Sequence, residues 1–398
     1  MAFPTDVIVF STADWSERNW TNNQRVSQSL AEAGCRVLYL ESLGLRQPRA
    51  SKRDLQRIWR RLSKVGQGVR QVEPNLWVFS PLVIPMHHVP LVQWINQKIV
   101  VTTVQLLSRW LGFHCPILWA YNPVISAFQS QLNSSLLIYH CVDDLTTVPG
   151  ISPSVVKTAE AEILQAADLV FVTSLGLNEK LSAVVPDKVH YLPNVADYQH
   201  FSQAREAGAV PDDLAAIAQP RIGFIGEIKD YKLDFELIST LAQRHPDWHW
   251  VFVGAIALTT DHLANGQTLP PELQQPNLHF LGYRPYKALP NYLRGFDVAV
   301  LPCLLNDYTK SMFPMKFFEY LAAGTPVVGT RLPSLSEYES VYSFAESIDE
   351  FESALKAVLS DRSGLEKQIE KGVEIAQAHT WQKRTQQMIA LIKAAWHN

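Results

Sequence analysis

The sequence predicts an α/β protein built from two doubly wound domains. Three observations carry this reading. Short apolar runs alternate with helical patterns, the pattern expected of βαβ units and a mostly parallel sheet. The alternation runs through the chain twice, with a polar, alanine-rich stretch between the two series. And 398 residues exceed what one ordinary core holds, so two domains are the default.

In the first series "DVIVFST" is a strand, followed by a helix over 22–33 stopped by Gly34, and then the strand "CRVLYLES". "PILWAYNP", "SLLIYHCVDD", "ADLVFVTS" and "KVHYLPN" repeat the strand type. Residues 203–219 lack strand character and read as a linker region. The second series begins with "PRIGFIGEI", a helix over 235–244 and the strand "WHWVFVGA". "NLHFLG", a helix over 289–294 and "DVAVLP" follow. "FPMKFFEYLAAGTPVVGT" supplies a further helix and strand, and "SFAES" a last short strand. Residues 381–396 form an amphipathic C-terminal helix with Thr380 as N-cap. The expected domains are therefore 1–202, a linker over 203–219, 220–379, and a C-terminal helix over 380–398 that packs back on the first domain. Ligands of such sheets bind outside the carboxyl ends of the strands. Two facing domains would place both sets of ends along one cleft.

Composition is that of a globular protein, 47% hydrophobic and 18% charged. A net charge of −3 argues against a nucleic-acid binder. The balance is uneven: 46–70 carries nine Lys/Arg against the single acid Asp54. Leu55, Ile58, Trp59 and Leu62 form an apolar line among those cations. The segment is either a peripheral contact with an anionic membrane or a solvated basic helix. Cys35, Cys115, Cys141 and Cys303 are widely separated and have no metal-ligand spacing, so free thiols in a reducing compartment are expected. No signal peptide and no run of 18 apolar residues is present. The expected location is the cytoplasm, with peripheral attachment to the inner face of the membrane if 46–70 binds lipid.

The helix after Phe313 bears on chemistry. Pro314 suits its first position, Gly324 its left-handed stop, and Pro326 prevents continuation. Met315, Phe317, Phe318, Leu321 and Ala322 are apolar, whereas Lys316, Glu319, Tyr320 and Ala323 fall on one remaining stripe. That stripe is either an exposed Lys–Glu pair or a ligand contact.

"PMKFFEYLAAGTPVVGT" closely resembles the donor-site motif of family 4 GT-B glycosyltransferases, nearest the bacterial exopolysaccharide and teichuronic-acid-type transferases. The resemblance extends over nearly the whole chain. "GEIKDYKLDFELISTLAQRHPDWHWVFVG" and "NLHFLGYRPYKALPNYLRGFDVAVLP" look like the family's nucleotide-binding units. "IYHCVDD" and "ADLVFVTS" with "LPNVADYQHF" look like its N-terminal half.

The resemblance implies a GT-B fold and a nucleoside-diphosphate-sugar donor. Glu319 would accept hydrogen bonds from both ribose hydroxyls, since a carboxylate is the acceptor-only group suited to a vicinal diol. Lys316 would meet a phosphate or orient Glu319. Thr309, Lys310 and Ser311 precede the helix, whose N-terminus would face the diphosphate, and Gly226 lies after the first strand of the second series. The sequence departs from the family in three places. Ser311 stands where many relatives have a second glutamate, and Gly226-Glu227 where many have Gly-Arg, leaving Lys229 and Lys232 as nearby cations. Asp143 stands where some have a histidine that touches the sugar. Asp143 and Asp144 are either sugar contacts or caps of the next segment. His140 reads as a packed histidine rather than a base. On the acceptor side, Trp15, Arg18, Trp20, Asn23 and Gln24 follow the first strand, and Tyr121-Asn122 ends another. Their aromatics are either sugar platforms or loop packing.

The expected function is sugar transfer to a hydroxyl of a glycan or lipid-linked saccharide in cell-surface polysaccharide biosynthesis, with retention of configuration. The resemblance implies both the retention and the absence of a required metal or cofactor; consistent with it, no obvious Asp-x-Asp site follows a strand in the right context and no His/Cys cluster is present. In a retaining front-face reaction the leaving phosphate helps deprotonate the acceptor; in an inverting one Asp143 is the candidate base. A non-catalytic nucleotide-sugar-binding protein, a subunit of a transferase complex and a nucleotide-sugar epimerase are the alternatives.

Overall fold

The computed structural model describes residues 5–43, 66, 68–83, 90–258, 269–361 and 363–397. It divides into two compact units, Met1–Pro193 with Arg384–Asn398, and Asn194–Lys383. The basic segment 46–70 lies outside the described residues except for 66 and 68–70.

The first unit holds eight strands: β1 (Asp6–Phe10), β2 (Arg36–Leu40), β3 (Arg70–Glu73), β4 (Leu76–Phe79), β5 (Ile117–Ala120), β6 (Leu136–Cys141), β7 (Leu169–Val172) and β8 (Val189–Tyr191). Their order is β3-β4-β2-β1-β5-β6-β7-β8. All neighbours are parallel except the β3–β4 hairpin. β1, β5, β6 and β7 are buried along their whole length, as expected of parallel strands covered on both faces. The strand order reverses between β2-β1 and β5, so the loops after β1 and β5 meet at a topological switch point. The helix Asn22–Glu32 follows β1 and opens on a capping box between Thr21 and Gln24.

The hairpin and a 22-residue helix, Pro90–Leu111, were not anticipated from sequence. Val100, Val101 and Val104 of that helix enter the core with Ile8, Leu38 and Leu118. The C-terminal helix runs Trp381–His397, and the Lys383 N–H donates to Thr380 Oγ1 at 3.3 Å. The boundary between the units falls inside this helix, at Lys383/Arg384, rather than at residue 380.

The second unit holds β9 (Arg221–Ile225), β10 (His249–Val253), β11 (Leu278–Gly282), β12 (Val298–Leu301), β13 (Val327–Thr330) and β14 (Ser343–Ala345). All are parallel, in the order β11-β10-β9-β12-β13-β14. Counted within the unit this is 3-2-1-4-5-6, the dinucleotide-fold order, with its switch point between β9 and β12.

The stretch 203–219 is part of this unit rather than a linker. The unit begins at Asn194, not at 220. Ala204, Leu214 and Ile217 lie in its core. Arg221 donates to the carbonyls of Ile217 (2.7 Å) and Ala215 (3.2 Å), and Arg294 to those of Gln203 (2.7 Å) and Glu206 (3.0 Å). Asp213 accepts from Arg284 Nε (3.2 Å) and from the Tyr292 hydroxyl (3.0 Å). Alanine-rich sequence hid this because three arginines outside the stretch, not its own periodicity, fix it.

Partial burial alone would raise the Asp213 carboxyl pKa, but the bonds from Arg284 and Tyr292 outweigh it and hold the pKa below the usual range. The stabilisation is therefore present above the ordinary carboxylate pKa and lost as pH falls through the depressed one. Asp213→Asn is expected to lower stability near neutral pH by about 0.5–1 kcal/mol after solvent screening, read as a lower Tm. The gap from the unmodified protein should close in acid, a trend that melting curves across pH 2–7 would reveal.

Candidate functional site

The switch point of the second sheet is built on main chain. β9 is followed by Gly226, β10 is followed by Gly254, and β11 ends on Gly282. The Gly226 N–H donates to the Val253 carbonyl and the Gly254 N–H to that of Gly282, both at 2.9 Å. A Cβ on Gly254 would lie 1.8 Å from the Gly226 oxygen, and φ there is +156°. No other residue fits this close approach.

The helix beside this edge runs Met315–Ala322. Pro314 is its N-cap rather than its first residue; its carbonyl already accepts from the Phe317 N–H (3.1 Å). Ala323 is the C-cap, and Gly324 follows in the left-handed conformation (φ +65°). Gly324 N–H donates to Leu321 O and Thr325 N–H to Tyr320 O, a complete Schellman stop. Phe317 and Phe318 are buried against Tyr338, with rings 5.4 Å apart in each pair.

Tyr320, expected on the ligand-facing stripe, is instead buried. Its hydroxyl accepts from the Ile225 N–H at 2.9 Å and reaches the Ile225 carbonyl at 3.4 Å. Burial pushes its pKa far above the usual range, so it remains a phenol. The bond pins the helix to the last residue of β9. Lys316 then lies over the edge, its Cε 3.7 Å from where a Gly226 Cβ would sit.

Glu319 is only 4% exposed, which rules out an exposed surface pair. Lys316 Nζ stands 3.1 Å from its Oε2 and 3.3 Å from its Oε1. Lys316 is its one polar partner among the described residues. A carboxylate offers about four acceptor directions, so most of this buried group's capacity is unused by the fold. Gly226, Lys316 and Glu319 are thus brought together.

The other expected donor residues divide. Thr309 is fully buried and caps the short helix Asp307–Lys310 together with Asn306. Its hydroxyl donates to the Leu304 carbonyl and accepts from the Asn306 N–H, so it serves the turn rather than offering a donor to phosphate. Lys310 is exposed and Ser311 half-buried at the C-cap of the same turn. Lys232 sits 4.7 Å from the centroid of Tyr308, a cation–π contact. Lys229 pairs with Glu227 at 2.6 Å.

In the first unit, the loop after β1 uses most of its polar residues internally. Asn23 Oδ1 accepts from Ser11 Oγ (2.8 Å) and the Thr12 N–H (3.1 Å). Gln24 Oε1 accepts from the Thr21 N–H, and its Nε2 donates to Asp14 O. The Tyr121 hydroxyl donates to Asn22 Oδ1 (2.8 Å), and Asn122 caps the turn Pro123–Ala127. Asn23, Gln24, Tyr121 and Asn122 are all buried, a correction to their reading as acceptor contacts. Trp15 and Trp20 remain half-exposed, 4.7 Å apart, with Arg25 5.1 Å over Trp20. Arg18 is exposed.

The adjacent carboxylates after β6 separate in role. Asp144 caps Leu145–Thr147 by accepting from the Thr146 N–H (3.0 Å), and pairs with Lys180 at 2.9 Å. Asp143 is half-buried. Lys180 also reaches Glu160 (3.2 Å), which accepts from the Tyr139 hydroxyl (2.9 Å). Glu160, on the helix Pro153–Ala166, was not singled out from the sequence. His140 is packed, as expected. It accepts from Trp119 Nε1 at 3.3 Å, and burial pulls its pKa down to about 3.

Comparison with known proteins decides the family. The model of the group 1 glycosyl transferases matches residues 219–361. TuaH of Bacillus subtilis strain 168, named as a teichuronic acid biosynthesis glycosyltransferase, is 34% identical over 285 residues, 66% of this chain and 68% of that protein. The chain belongs to the group 1 glycosyltransferases. This transferase also shares the GT-B fold with solved structures at low identity. Sucrose-phosphate synthase from Thermosynechococcus elongatus superposes with a TM-score of 0.71 at 16% identity, covering 98% of this chain and 99% of that one. Anabaena Alr3699/HepE in complex with UDP-glucose gives 0.68 at 14%, with the same coverage. Trehalose-6-phosphate from E. coli bound with UDP-2-fluoro glucose gives 0.69 at 12%, again with the same coverage.

The buried amides and the exposed arginine of the β1 loop should behave differently on mutation. Asn23→Ala strands the Thr12 N–H and removes one of the partners of Ser11, and is expected to cost about 1–3 kcal/mol in denaturant unfolding. Arg18→Ala should stay within about 0.5 kcal/mol of the parent.

Proposed function

We propose that this transferase takes its sugar from a nucleoside diphosphate held at the switch point of the second sheet, and passes it with retention to a hydroxyl of a glycan or lipid-linked saccharide. The observation that carries the donor reading is Glu319. A carboxylate this buried with one cationic partner is costly to keep unless a ligand uses its remaining acceptor directions. Ribose hydroxyls fit that need. Lys316 would hold Glu319 in place and lend positive charge. The first N–H groups of Met315–Ala322 lack acceptors within the helix and would face the diphosphate, where negative charge develops as the sugar–phosphate bond breaks. The glycine-ended strands let a ligand approach main chain closely.

Ser311, Lys310 and Lys232 are proposed as further phosphate or sugar contacts, and Asp143 as the sugar contact from the first unit. Trp15, Trp20 and Arg18 are the accessible candidates for the acceptor. A role in cell-surface polysaccharide biosynthesis accords with the teichuronic-acid relative. The cations of 46–70 support contact with an anionic membrane, where lipid-linked acceptors are found.

UDP-sugars, bound in two of the fold neighbours, are the first donors to test. At a concentration 100 times Kd, the right donor should stabilise the protein by about 2.7 kcal/mol. A thermal-shift screen of UDP-, GDP-, ADP- and dTDP-sugars in which none moves Tm would sink the donor reading. Glu319→Ala should weaken the binding of the selected donor by about 1.5–3 kcal/mol in calorimetry, with the fold preserved because Lys316 can turn toward water. Unchanged affinity would contradict the assignment.

A further inference from the structure

The chain leaves β6 as Val142-Asp143-Asp144 and turns into the short helix Leu145–Thr147. The carbonyl of each of these three residues is bonded. The Thr173 hydroxyl donates to the Val142 carbonyl (2.7 Å), the Cys141 thiol donates weakly to that of Asp143 (3.7 Å), and the Thr147 hydroxyl donates to that of Asp144 (2.8 Å). The Asp144 carboxylate divides its two oxygens. Oδ1 accepts from the Thr146 N–H (3.0 Å) and hydroxyl (2.6 Å), within the turn. Oδ2 accepts from Lys180, outside it, at 2.9 Å.

Lys180 belongs to the helix Leu175–Ser182, and its ammonium is shared. Glu160 Oε2, on Pro153–Ala166, lies 3.2 Å away. The other oxygen of Glu160 accepts from the Tyr139 hydroxyl of β6. These bonds close a ring from β6 through two helices to the loop and back to the strand. The Lys180 side chain is 40% exposed, whereas those of Asp144 and Glu160 are 12% and 9% exposed. Among the described residues no other cation pairs with either carboxylate. Burial raises the pKa of the Tyr139 phenol and of the Cys141 thiol, so both stay neutral. One ammonium therefore serves two shielded carboxylates. An exposed ion pair would matter little, but removing this cation leaves two like charges facing each other.

Asp144 can cap its turn through Thr146 alone. What Lys180 adds is a tether on the residue directly after Asp143. The backbone is extended at Asp144 (φ −74°, ψ 96°), and neighbouring side chains on extended backbone point to opposite sides. Drawing Asp144 toward the helices thus sets the direction of Asp143. We infer that Lys180 is a positioning residue of this transferase, which fixes Asp143 toward the donor sugar by holding Asp144 against Glu160. The inference rests on the reading of Asp143 as a sugar contact.

The test uses the full chain and calorimetry with UDP, GDP, ADP and dTDP, and with the glucose conjugate of each. The ratio of the two Kd values for one base reads the affinity that the sugar adds. For the base that binds, Lys180→Met is expected to cut this ratio about threefold to tenfold, with the affinity for the bare nucleotide unchanged. Lys180→Arg should keep the ratio, since a guanidinium can serve both carboxylates. Lys180→Met should also lower Tm through the repulsion it uncovers. Adding Glu160→Gln should restore Tm without restoring the ratio, which separates positioning from stability. In a protein already carrying Asp143→Asn, Lys180→Met should change the ratio no further.

The inference fails if the sugar adds no affinity in the parent, or if Lys180→Met leaves the ratio as it was. Recovery of the ratio together with Tm in the Lys180→Met, Glu160→Gln protein would make Lys180 purely structural. Additive effects of Lys180→Met and Asp143→Asn would sever the two residues and overturn the inference. A ratio unmoved by Asp143→Asn, with Glu319→Ala still weakening the bare nucleotide, would remove Asp143 as the sugar contact and leave the donor site of the second unit standing. Binding of none of these ligands would instead defeat the donor reading itself.

Discussion

The bond between the Tyr320 hydroxyl and the backbone of Ile225 is the constraint on which the candidate donor site depends. It joins the middle of the Met315–Ala322 helix to the end of the central strand β9. Phe317 and Phe318 pack its aromatic underside, and the Tyr320 bond adds a directional link to the sheet. With it, Glu319 and Lys316, on the same turn, are set over the glycine edge of the sheet. A phenol so buried does not ionise at physiological pH, so the fastening is independent of pH. The helix therefore holds a charged pair near the sheet's switch point through a neutral bond that takes no part in ligand chemistry.

The first unit shows the complementary economy. Its switch-point loop is rich in amide and hydroxyl side chains, which sequence reading assigned to an acceptor. Most of them are consumed in shaping the loop: Asn23 gathers donors from Ser11 and Thr12, and Gln24 spans Thr21 and Asp14. Left unpaired, each such buried group would be a liability of kcal/mol size. What remains accessible is aromatic and cationic, the Trp15–Trp20 pair and Arg18.

Much of the fold was legible in the sequence because its strands are buried on both faces. Runs such as DVIVF and VAVL stand out against their neighbours, and the glycine after Ala323 marks a helix end for steric reasons. The β3–β4 hairpin was missed because RQVE is a short, polar, half-exposed edge strand, without the apolar run that marks the others. Pro90–Leu111 was missed for the opposite reason: with apolar residues on both faces it has no clear 3.6-residue rhythm. At the site, Lys316 and Glu319 were visible as charges out of place. Tyr320 was misread because periodicity cannot tell a tyrosine that faces a ligand from one that bonds to a neighbouring strand. Thr309 was misread because a capping threonine and a phosphate-binding threonine look alike until the partner of the hydroxyl is known.

Gly226 and Gly254, which follow β9 and β10, and Gly282, which ends β11, have a consequence for how this enzyme can change. Along that edge the protein presents peptide groups, not side chains, and at Gly254 even a methyl group has nowhere to go. Backbone N–H and C=O groups are the same in every sequence, so point mutation cannot tune selectivity there. On the proposed donor reading, drift in donor preference falls to the surrounding helix and turns, where side chains exist to be exchanged.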